Sequence, residues 1–412
     1  MDNFETKIIS TKYTRPDAYG ALAMPVYHTA AFEFPSAKAM ENAFMGRSMD
    51  HSYSRISNPT VQYLERRVQQ VTGALSVTAL NTGMAAIAYA LMAVASEGSN
   101  IIISPFLFGN TVSLIRDTLG NFGVEARFAD LTNLKDVEEK IDERTCAVFF
   151  EIITNPQMIV TDIRSLADIA HRHNVALIAD TTIIPFTAFR AADFGVDIEV
   201  ISSTKYISGG ATGVGGLLID YGHTDWSKSH SPALQAKAKR TGARTAFTAR
   251  VKTELVTNLG ALMSPHAAYM ETLGLETLDL RFRQQASSAL WLARELKTTE
   301  GIRSVNYPGL EDNPYHNLSE KQFGHLPGAM LTIDLDSKDD CYQFIDNLKL
   351  IRRATNLFDN RSLAIHPAST IFGLFSEEQR AAMDVRQTTV RLSIGLEQPA
   401  DLLKDIQQAL PK

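Results

Sequence analysis

The segment Ser202-Ser203-Thr204-Lys205 could carry out covalent chemistry, because a serine hydroxyl or a lysine amine can attack an electrophile. A Ser-x-x-Lys also opens the acylation site of penicillin-binding proteins, but the Ser-Asp-Asn and Lys-Thr-Gly that this site needs downstream do not occur. The glycines between 209 and 216 lack Gly-Lys-Ser/Thr, so they do not make a P-loop. A third interpretation is that Lys205 forms a Schiff base with the aldehyde of pyridoxal 5′-phosphate.

Asp180 is the carboxylate that this third interpretation requires, since the cofactor's pyridine nitrogen must stay protonated for the ring to act as an electron sink. Asp180 ends one apolar run, and Lys205 follows the next such run, Ile198–Ile201. Adjacent strands lie about 4.8 Å apart, so two strand ends can hold a ring between them. A lysine alone is more often a solvated surface residue, and it is the paired placement that favours a cofactor site.

Thr82-Gly83-Met84 is the candidate binding site for the cofactor's phosphate. These residues follow the apolar run Ser76–Leu80 and precede a predicted helix over 85–95, so their backbone N–H groups face an anion along the helix dipole. A glycine at such a junction is more often only part of a turn. Ser202 and Thr204 add hydroxyl groups from the other side.

The elements that must position these residues follow an alternating pattern. Short apolar runs alternate with helix-like stretches such as Ile163–His173, which is typical of a mostly parallel α/β sheet covered by helices. In such sheets ligands gather at the carboxyl ends of the strands. Glu151, Asn155 and Asp180 lie at or just beyond such ends.

Three segments divide the chain. Residues 1–58 have many turn residues and few periodic runs, which predicts an extended N-terminal arm. Asn58-Pro59 begins a predicted helix and, with it, the cofactor-binding α/β domain over 59–258. Residues 259–412 start with a long helical stretch and continue with mixed strands and helices, which predicts a smaller C-terminal α+β domain.

Composition narrows the class of protein. The chain has 412 residues and a formal net charge of −6, which offers no net attraction to nucleic acid or anionic lipid. Its two cysteines, Cys146 and Cys341, lie far apart and precede apolar or aromatic residues, which fits a reducing compartment. The chain start lacks an apolar signal region, and the longest apolar stretch is too short for a bilayer. We expect a cytoplasmic protein with a small-molecule substrate and without a metal, nucleic-acid or membrane partner.

With these motifs the chain resembles, almost end to end, the cysteine/methionine-metabolism enzymes of fold type I, a pyridoxal-phosphate-dependent family that includes cystathionine γ-synthase. The resemblance implies the PLP-dependent transferase fold of type I. Tyr53 and Arg55 match the family's Tyr-x-Arg arm, which reaches the phosphate in the neighbouring subunit. The resemblance therefore implies a homo-oligomer, a dimer at least and commonly a tetramer. It also implies cofactor contacts by Asn155, to the ring hydroxyl, and by Thr82, Gly83, Met84, Asp180, Ser202, Thr204 and Lys205.

The resemblance extends to the substrate. Arg391, within Val390–Gly395, matches the arginine that clamps the substrate's α-carboxylate, a role suited to a planar bidentate donor. Asn356 lies where the family offers a backbone contact to the same carboxylate.

Several segments resemble the O-acetylhomoserine sulfhydrylase branch best: 205–210, 215–220, 306–311, 361–363 and 393–397. This branch implies γ-replacement on an O-acylated homoserine by sulfide or methanethiol, giving homocysteine or methionine. One alternative is a γ-lyase that releases α-ketobutyrate from methionine or cystathionine. Another is a cofactor-binding homologue that has lost turnover.

Phe108 is the main departure from the family, which has a tyrosine stacked on the cofactor ring at this position. A phenylalanine retains the stacking face but lacks the phenol, a candidate general acid or base for the γ-leaving group. Acetate or succinate leaves as a stable anion, whereas a thiolate gains from protonation. Phe108 therefore favours an acylated homoserine over a thioether substrate.

Overall fold

The computed structural model describes residues 3–13 and 17–411. Residues 1–58, predicted as an extended arm, contain helices α1 (Phe4–Ser10) and α2 (Ala37–Phe44), so this segment is not extended throughout. In α1, Ile8 is fully buried in the core, where the helix packs on the helices that span 59–72 and 265–276. A helix of seven residues with one buried position gives too short a repeat for a periodic pattern to show in the sequence.

The larger sheet has the order β1-β7-β6-β5-β4-β2-β3. Its neighbouring strands are parallel except for the two pairs that involve β7, which confirms the predicted mostly parallel sheet. The strands are β1 (Ser76–Leu80), β2 (Asn100–Ile103), β3 (Glu125–Phe128), β4 (Thr145–Glu151), β5 (Ala176–Asp180), β6 (Ile198–Ile201) and β7 (Gly216–Asp220).

Both faces of this sheet are buried except at the edge strand β3, because side chains alternate between two apolar clusters. On β4, Phe150 and Val148 belong to one cluster, and Phe149 and Ala147 belong to the other. The covering helices in this part of the chain are α3 (Pro59–Thr72), α4 (Gly83–Val94), α5 (Gly109–Ser113), α6 (Leu134–Lys140), α7 (Ile163–Arg172), α8 (Pro232–Thr241), α9 (Ala246–Arg250) and α10 (Thr257–Leu259).

Helix α3 begins where the sequence predicts. The side chain of Asn58 accepts a hydrogen bond from the backbone N–H of Thr60, and Pro59 occupies the first turn. Gly73, with φ of 73°, ends the helix in the left-handed conformation that favours glycine.

The C-terminal part of the chain forms a second, smaller sheet of order β10-β11-β12-β9-β8. It is antiparallel except for β10 and β11, and β12 lies at its centre. The helices are α11 (Pro265–Glu276), α12 (Leu278–Leu296), α13 (His316–Phe323), α14 (Lys338–Asn347), α15 (Glu377–Ala382) and α16 (Pro399–Ala409). The strands are β8 (Ser304–Asn306), β9 (Met330–Asp334), β10 (Arg352–Arg353), β11 (Leu363–Ile365) and β12 (Thr389–Ser393).

None of the helices in residues 3–13 and 17–411 combines the length and the apolar composition that crossing a bilayer requires.

Helix α11 packs directly on the turn Tyr206–Ser208 that follows Lys205. A Cβ atom added to Gly274 of α11 would lie 2.0 Å from the carbonyl oxygen of Ile207 and 3.0 Å from the backbone nitrogen of Gly209. Backbone atoms cannot move aside as a flexible side chain can. Gly274 is therefore needed for this close approach.

We expect Gly274→Ala to lower the unfolding temperature, because overpacking costs about 1–3 kcal/mol and outweighs the roughly 0.5–1 kcal/mol that alanine gains over glycine in a helix. Gly120→Ala is the matched control. Gly120 has a helical φ of −55°, and the nearest atom to an added Cβ lies at 3.9 Å. Thermal unfolding of both variants measures the difference, and equal unfolding temperatures would contradict the packing argument.

Candidate active site

The carboxyl ends of β4, β5 and β6 meet at one edge of the larger sheet. Glu151 and Asp180 end neighbouring strands and are direct register partners, and Asp180 is also paired with Val200 of β6. The segment Ser202–Lys205 follows β6 at this edge. The structure therefore brings together the carboxylates and the lysine that the sequence analysis singled out.

Lys205 lies half-buried at this edge with its amine held by a residue distant in sequence. Its Nζ donates a hydrogen bond to Oδ1 of Asn356 at 2.8 Å. Burial, and then the positive charge of Arg391, lower the pKa of the Lys205 amine to about 8, against the opposing attraction of Asp180. A larger fraction of this amine is thus neutral near physiological pH than in an ordinary lysine, and the neutral form is the one that attacks an aldehyde.

The backbone after Lys205 is firmly anchored. Tyr206 is buried and stacks on Phe358 with ring centroids 4.3 Å apart, and its hydroxyl oxygen accepts from the backbone N–H of Ala329 at 3.0 Å. Arg281 donates to the Tyr206 carbonyl at 2.7 Å. Residues of the C-terminal part of the chain therefore fix the position of the lysine.

Asp180 is a buried carboxyl group whose charged form a nearby cation would stabilise. Burial raises its pKa, while hydrogen bonds from Thr182 and the attraction of Lys205 act in the opposite direction. The backbone N–H of Thr182 donates to Oδ1 of Asp180 at 2.9 Å. A protonated ring nitrogen placed against this carboxylate would favour its charged form.

Glu151 is the second carboxyl group at this edge. Burial, followed by repulsion from Asp180, raises the pKa of Glu151 to about 8, so this group holds its proton at neutral pH. Its Oε1 accepts a hydrogen bond from the backbone N–H of Phe108 at 2.7 Å. This bond fixes Phe108, which is half-buried at the start of α5.

Arg391 is 1% exposed and lies on the central strand β12 of the smaller sheet. Its Nη1 donates to Oδ1 of Asn155 at 3.2 Å, and its Nη2 donates to the carbonyl oxygens of Thr355 at 3.3 Å and Asn356 at 3.2 Å. Its Nε has no hydrogen-bond partner among the described residues. Burial lowers its pKa to about 9, and the neutral oxygens around it do not compensate its charge. Such a cation favours an incoming carboxylate.

Asn356 connects Lys205 and Arg391 through its two oxygen atoms. Its carbonyl oxygen accepts from Arg391, and its side-chain oxygen accepts from Lys205. The sequence analysis expected only a backbone contact to a substrate carboxylate, and the structure adds the side-chain contact to the lysine. Asp359 accepts from Nδ2 of Asn356 at 3.3 Å and so orients the amide.

The turn at Thr82–Met84 is built as an anion site requires. Helix α4 begins at Gly83, and the hydroxyl of Thr82 caps it by accepting from the N–H of Ala85 at 2.9 Å. A Cβ atom on Gly83 would lie 2.7 Å from Cβ of Ser202, so the glycine allows the two segments to approach closely. The first N–H groups of α4 and the Ser202 hydroxyl therefore lie on adjoining segments.

Thr204 is engaged within the protein. Its hydroxyl donates to the Gly215 carbonyl at 3.2 Å and accepts from the Gly215 N–H at 3.0 Å. These bonds join the lysine segment to the start of β7. They favour a role in holding the segment, and the expected contact with a phosphate stays a prediction.

Tyr53 and Arg55 lie together on the arm rather than among the residues above. Tyr53 is 44% exposed, and the Arg55 guanidinium lies 5.6 Å from the centre of its ring. Nη1 of Arg55 donates to the carbonyl of Thr257. Within one chain, the contacts described for these residues do not include Lys205 or Asp180.

The residues present fit pyridoxal 5′-phosphate. They supply a nucleophilic amine after one strand, a buried carboxylate at the end of the next, and a helix N-terminus with a glycine cradle at the same edge. Fold and site together define a pyridoxal 5′-phosphate-dependent enzyme of fold type I.

Comparison with known proteins gives the family. Residues 5–411 match the model of the family "Cys/Met metabolism PLP-dependent enzyme". The chain is 34% identical to an O-acetyl-L-homoserine sulfhydrylase of Corynebacterium glutamicum, covering 98% of this chain and 96% of that protein. It is also 34% identical to an L-methionine γ-lyase of Pseudomonas putida, covering 100% of this chain and 98% of that protein.

A solved structure agrees closely with the fold. The O-acetylhomoserine (thiol)-lyase chain of Campylobacter jejuni superposes with a TM-score of 0.94 at 34% identity and 99% coverage of both chains. It carries N′-pyridoxyl-lysine-5′-monophosphate at position 205 of its own sequence. The chain described here belongs to the Cys/Met metabolism family of PLP-dependent enzymes.

Sequence reasoning missed several residues around the site. Glu271, Arg281 and Phe358 all hold the lysine segment or the turn after it. They lie on helices or loops far along the chain and form no motif with Lys205. A buried polar residue on an otherwise apolar helix face, such as Glu271 on α11, was the one local signal available.

The lowered pKa of Lys205 predicts how cofactor capture depends on pH. Because the neutral amine attacks the aldehyde, incorporation of pyridoxal 5′-phosphate into the apoenzyme should speed up as pH rises and level off above the amine's pKa, about 8. Arg391→Met removes a neighbouring positive charge, so it should raise that pKa and move the midpoint to higher pH. Stopped-flow absorbance across pH measures the midpoint.

Arg386→Met is the control, since Arg386 is an exposed arginine paired with Asp384 and Asp334. Its midpoint should match that of the wild type. A midpoint that moves downward in Arg391→Met would contradict the electrostatic coupling of the two cations.

Proposed function

We propose that this enzyme replaces the γ-substituent of an O-acylated homoserine with sulfide or methanethiol, yielding homocysteine or methionine. The observation that carries an amino-acid substrate is Arg391, a buried guanidinium without a carboxylate partner among the described residues, linked through Asn356 to Lys205. The name of the C. glutamicum relative supports the acylated homoserine.

Each residue of the site has a proposed role. Bound pyridoxal 5′-phosphate supplies an electron sink for charge that develops on the substrate. Lys205 would hold the cofactor through its amine and would move protons at the substrate's Cα and Cβ. Asp180 would keep the ring nitrogen protonated, and Asn155 would contact the ring hydroxyl. Arg391 binds the α-carboxylate and so orients the Cα–H bond for cleavage.

The cofactor's phosphate is assigned to the turn Thr82–Met84, with Ser202 and Thr204 opposite and Tyr53 and Arg55 from a neighbouring subunit. The helix dipole of α4 and the close approach of Ser202 to Gly83 at its start support this assignment.

Phe108 supports the choice of an acyl leaving group. Its ring offers a face for stacking but no proton, and Glu151 binds its backbone N–H rather than a leaving group. A carboxylate leaving group departs without protonation. A thiolate departs more easily when a general acid protonates it, an effect worth roughly 10²–10⁴-fold.

A γ-lyase is the second candidate, since the L-methionine γ-lyase of P. putida has the same identity to this chain as the sulfhydrylase. The two reactions share the early steps and differ in whether a sulfur nucleophile adds. Incubation with O-acetylhomoserine, with and without sulfide, separates them. Sulfide-dependent homocysteine supports our proposal, and α-ketobutyrate without sulfide supports the lyase. No product from any amino-acid substrate would indicate a cofactor-binding homologue without turnover.

Phe108→Tyr tests the leaving-group argument. We expect it to raise turnover of methionine and cystathionine by about 10-fold or more, since it restores a phenol that can protonate a thiolate. Turnover of O-acetylhomoserine should change little, because acetate needs no proton. Release of α-ketobutyrate from each substrate measures the effect, and unchanged thioether turnover would refute the argument.

We infer a homo-oligomer, a dimer at least and a tetramer by pairing of dimers, located in the cytoplasm. In it, residues 1–58 form an arm, 59–258 bind the cofactor, and 259–412 bind the substrate carboxylate. The exposure of Tyr53, and the contacts of Arg55 outside the lysine site, support an arm that serves a partner's site.

Mixing two defective variants tests this sharing. In a mixed dimer of Arg55→Ala and Lys205→Ala subunits, one site receives an intact Lys205 from one subunit and an intact Arg55 from its partner. The mixture should therefore regain activity that neither variant has alone. If each arm serves its own subunit, both sites stay defective and the mixture remains as inactive as its components.

A further inference from the structure

Ser203 and Glu271 form a buried polar pair next to the lysine. Oγ of Ser203 donates to Oε1 of Glu271 at 3.0 Å, and both residues are fully buried. Ser203 stands two residues before Lys205, and Glu271 lies on α11. The proposed reaction uses neither residue.

Burial of the Glu271 carboxyl group at this position costs desolvation free energy. Its Oε2 has no hydrogen-bond partner among the residues that the structure describes. Burial raises its pKa to about 8, against the hydrogen bond from Ser203, so the group holds a proton at neutral pH. An apolar side chain of similar size would pack at this position without the desolvation cost. Incompletely satisfied buried polar groups concentrate where function requires them.

The pair belongs to a tight set of contacts. A Cβ atom on Gly215 would lie 2.2 Å from Oε1 of Glu271 and 2.6 Å from Oγ of Ser203. Gly215 in turn exchanges two hydrogen bonds with the Thr204 hydroxyl. Glu271 therefore contacts Ser203 directly and Thr204 by way of Gly215, and these two residues immediately precede Lys205.

The lysine segment is held differently on its other side. The N–H of Ser202 donates to Oγ1 of Thr182 at 2.8 Å, and Ser202 faces Gly83 closely. Ser203 is thus the member of the segment whose side chain ties it to α11. Loss of the hydrogen bond between Ser203 and Glu271 would let the segment rotate about the contacts that Ser202 and Thr204 make.

We propose that Glu271 is a positioning residue that, through Ser203, fixes the direction in which Lys205 presents its amine to the cofactor. This inference depends on the assignment of Lys205 as the cofactor lysine and is independent of which γ-substituent the enzyme replaces.

The test measures how fast hydroxylamine releases the cofactor from the holoenzyme. Hydroxylamine takes the aldehyde carbon as an oxime and returns the free amine to Lys205, so a poorly oriented lysine bond should be attacked faster. We expect about tenfold faster release for Glu271→Leu and for Ser203→Ala, each of which leaves one buried polar partner unpaired. Glu271→Gln retains the acceptor and should release within about twofold of wild type.

The double variant Ser203→Ala/Glu271→Leu sharpens the test. It breaks the same hydrogen bond that each single variant breaks, so its release rate should match that of the single variants rather than the product of their two effects. Asp405→Ala is the control for general destabilisation. Asp405 is a buried carboxylate that accepts from the N–H groups of Lys349, Leu350 and Ile351 in the C-terminal part of the chain. Its loss should lower the unfolding temperature without changing release.

Two results would overturn the inference. Release at the wild-type rate in both single variants, with only a lower unfolding temperature, would reduce the pair to a packing contact. Release from Glu271→Gln as fast as from Glu271→Leu would exclude the hydrogen bond as the route. Lys205→Ala separates the assumption from the inference, since hydroxylamine-sensitive visible absorbance in that variant would refute the lysine assignment itself.

Discussion

The burial of positive charge at the meeting of the two sheets is the constraint on which the site depends. Arg391 is almost inaccessible, and its hydrogen bonds go to an amide and two carbonyl oxygens rather than to a carboxylate. Neutral acceptors offset only part of the free-energy cost of desolvating a guanidinium. The same positive charge contributes to the lowered pKa of Lys205. One uncompensated cation thus lowers the pKa of the nearby amine and, in our proposal, also attracts the anionic substrate.

That cation can be held only because both parts of the chain contribute to it. Asn155 follows β4 of the larger sheet, whereas Thr355 and Asn356 belong to the C-terminal part. Lys205 crosses the same boundary to reach Asn356. The relative position of the two sheets is therefore set partly by polar contacts within the site, and a shift between them would separate the amine from the guanidinium.

Much of this arrangement could be predicted from the sequence because it depends on local patterns. The alternation of apolar runs and helices predicted the parallel sheet, and the placement of Asp180 and Lys205 after consecutive runs predicted their meeting. The reversed direction of β7 and the helices of the arm were not predicted, since a strand's direction and a seven-residue helix leave little trace in the sequence.

The contacts that hold Lys205 could not be predicted from the sequence either, because they also leave no local pattern in it. The Asn356 contact spans 151 residues and the Glu271 contact spans 68, and neither pairing repeats at a period that a pattern could reveal. A buried glutamate on a helix reads as a polar residue that could equally face solvent. Only the close approach of α11 to the lysine segment, permitted by Gly274 and Gly215, turns it into a partner of Ser203.

The two carboxyl groups at the strand ends would have different protonation states beside a bound cofactor, because their surroundings differ. Asp180 and Glu151 are register partners, and both have raised pKa values because of burial. A cationic ring nitrogen would stabilise the charge of Asp180, and that charge in turn raises the pKa of Glu151 and keeps its proton in place. Glu151 then holds the N–H of Phe108 without adding a second negative charge. A charge on the cofactor's nitrogen would therefore be coupled, through two adjacent carboxyls, to Phe108, the residue that we propose stacks on the cofactor ring.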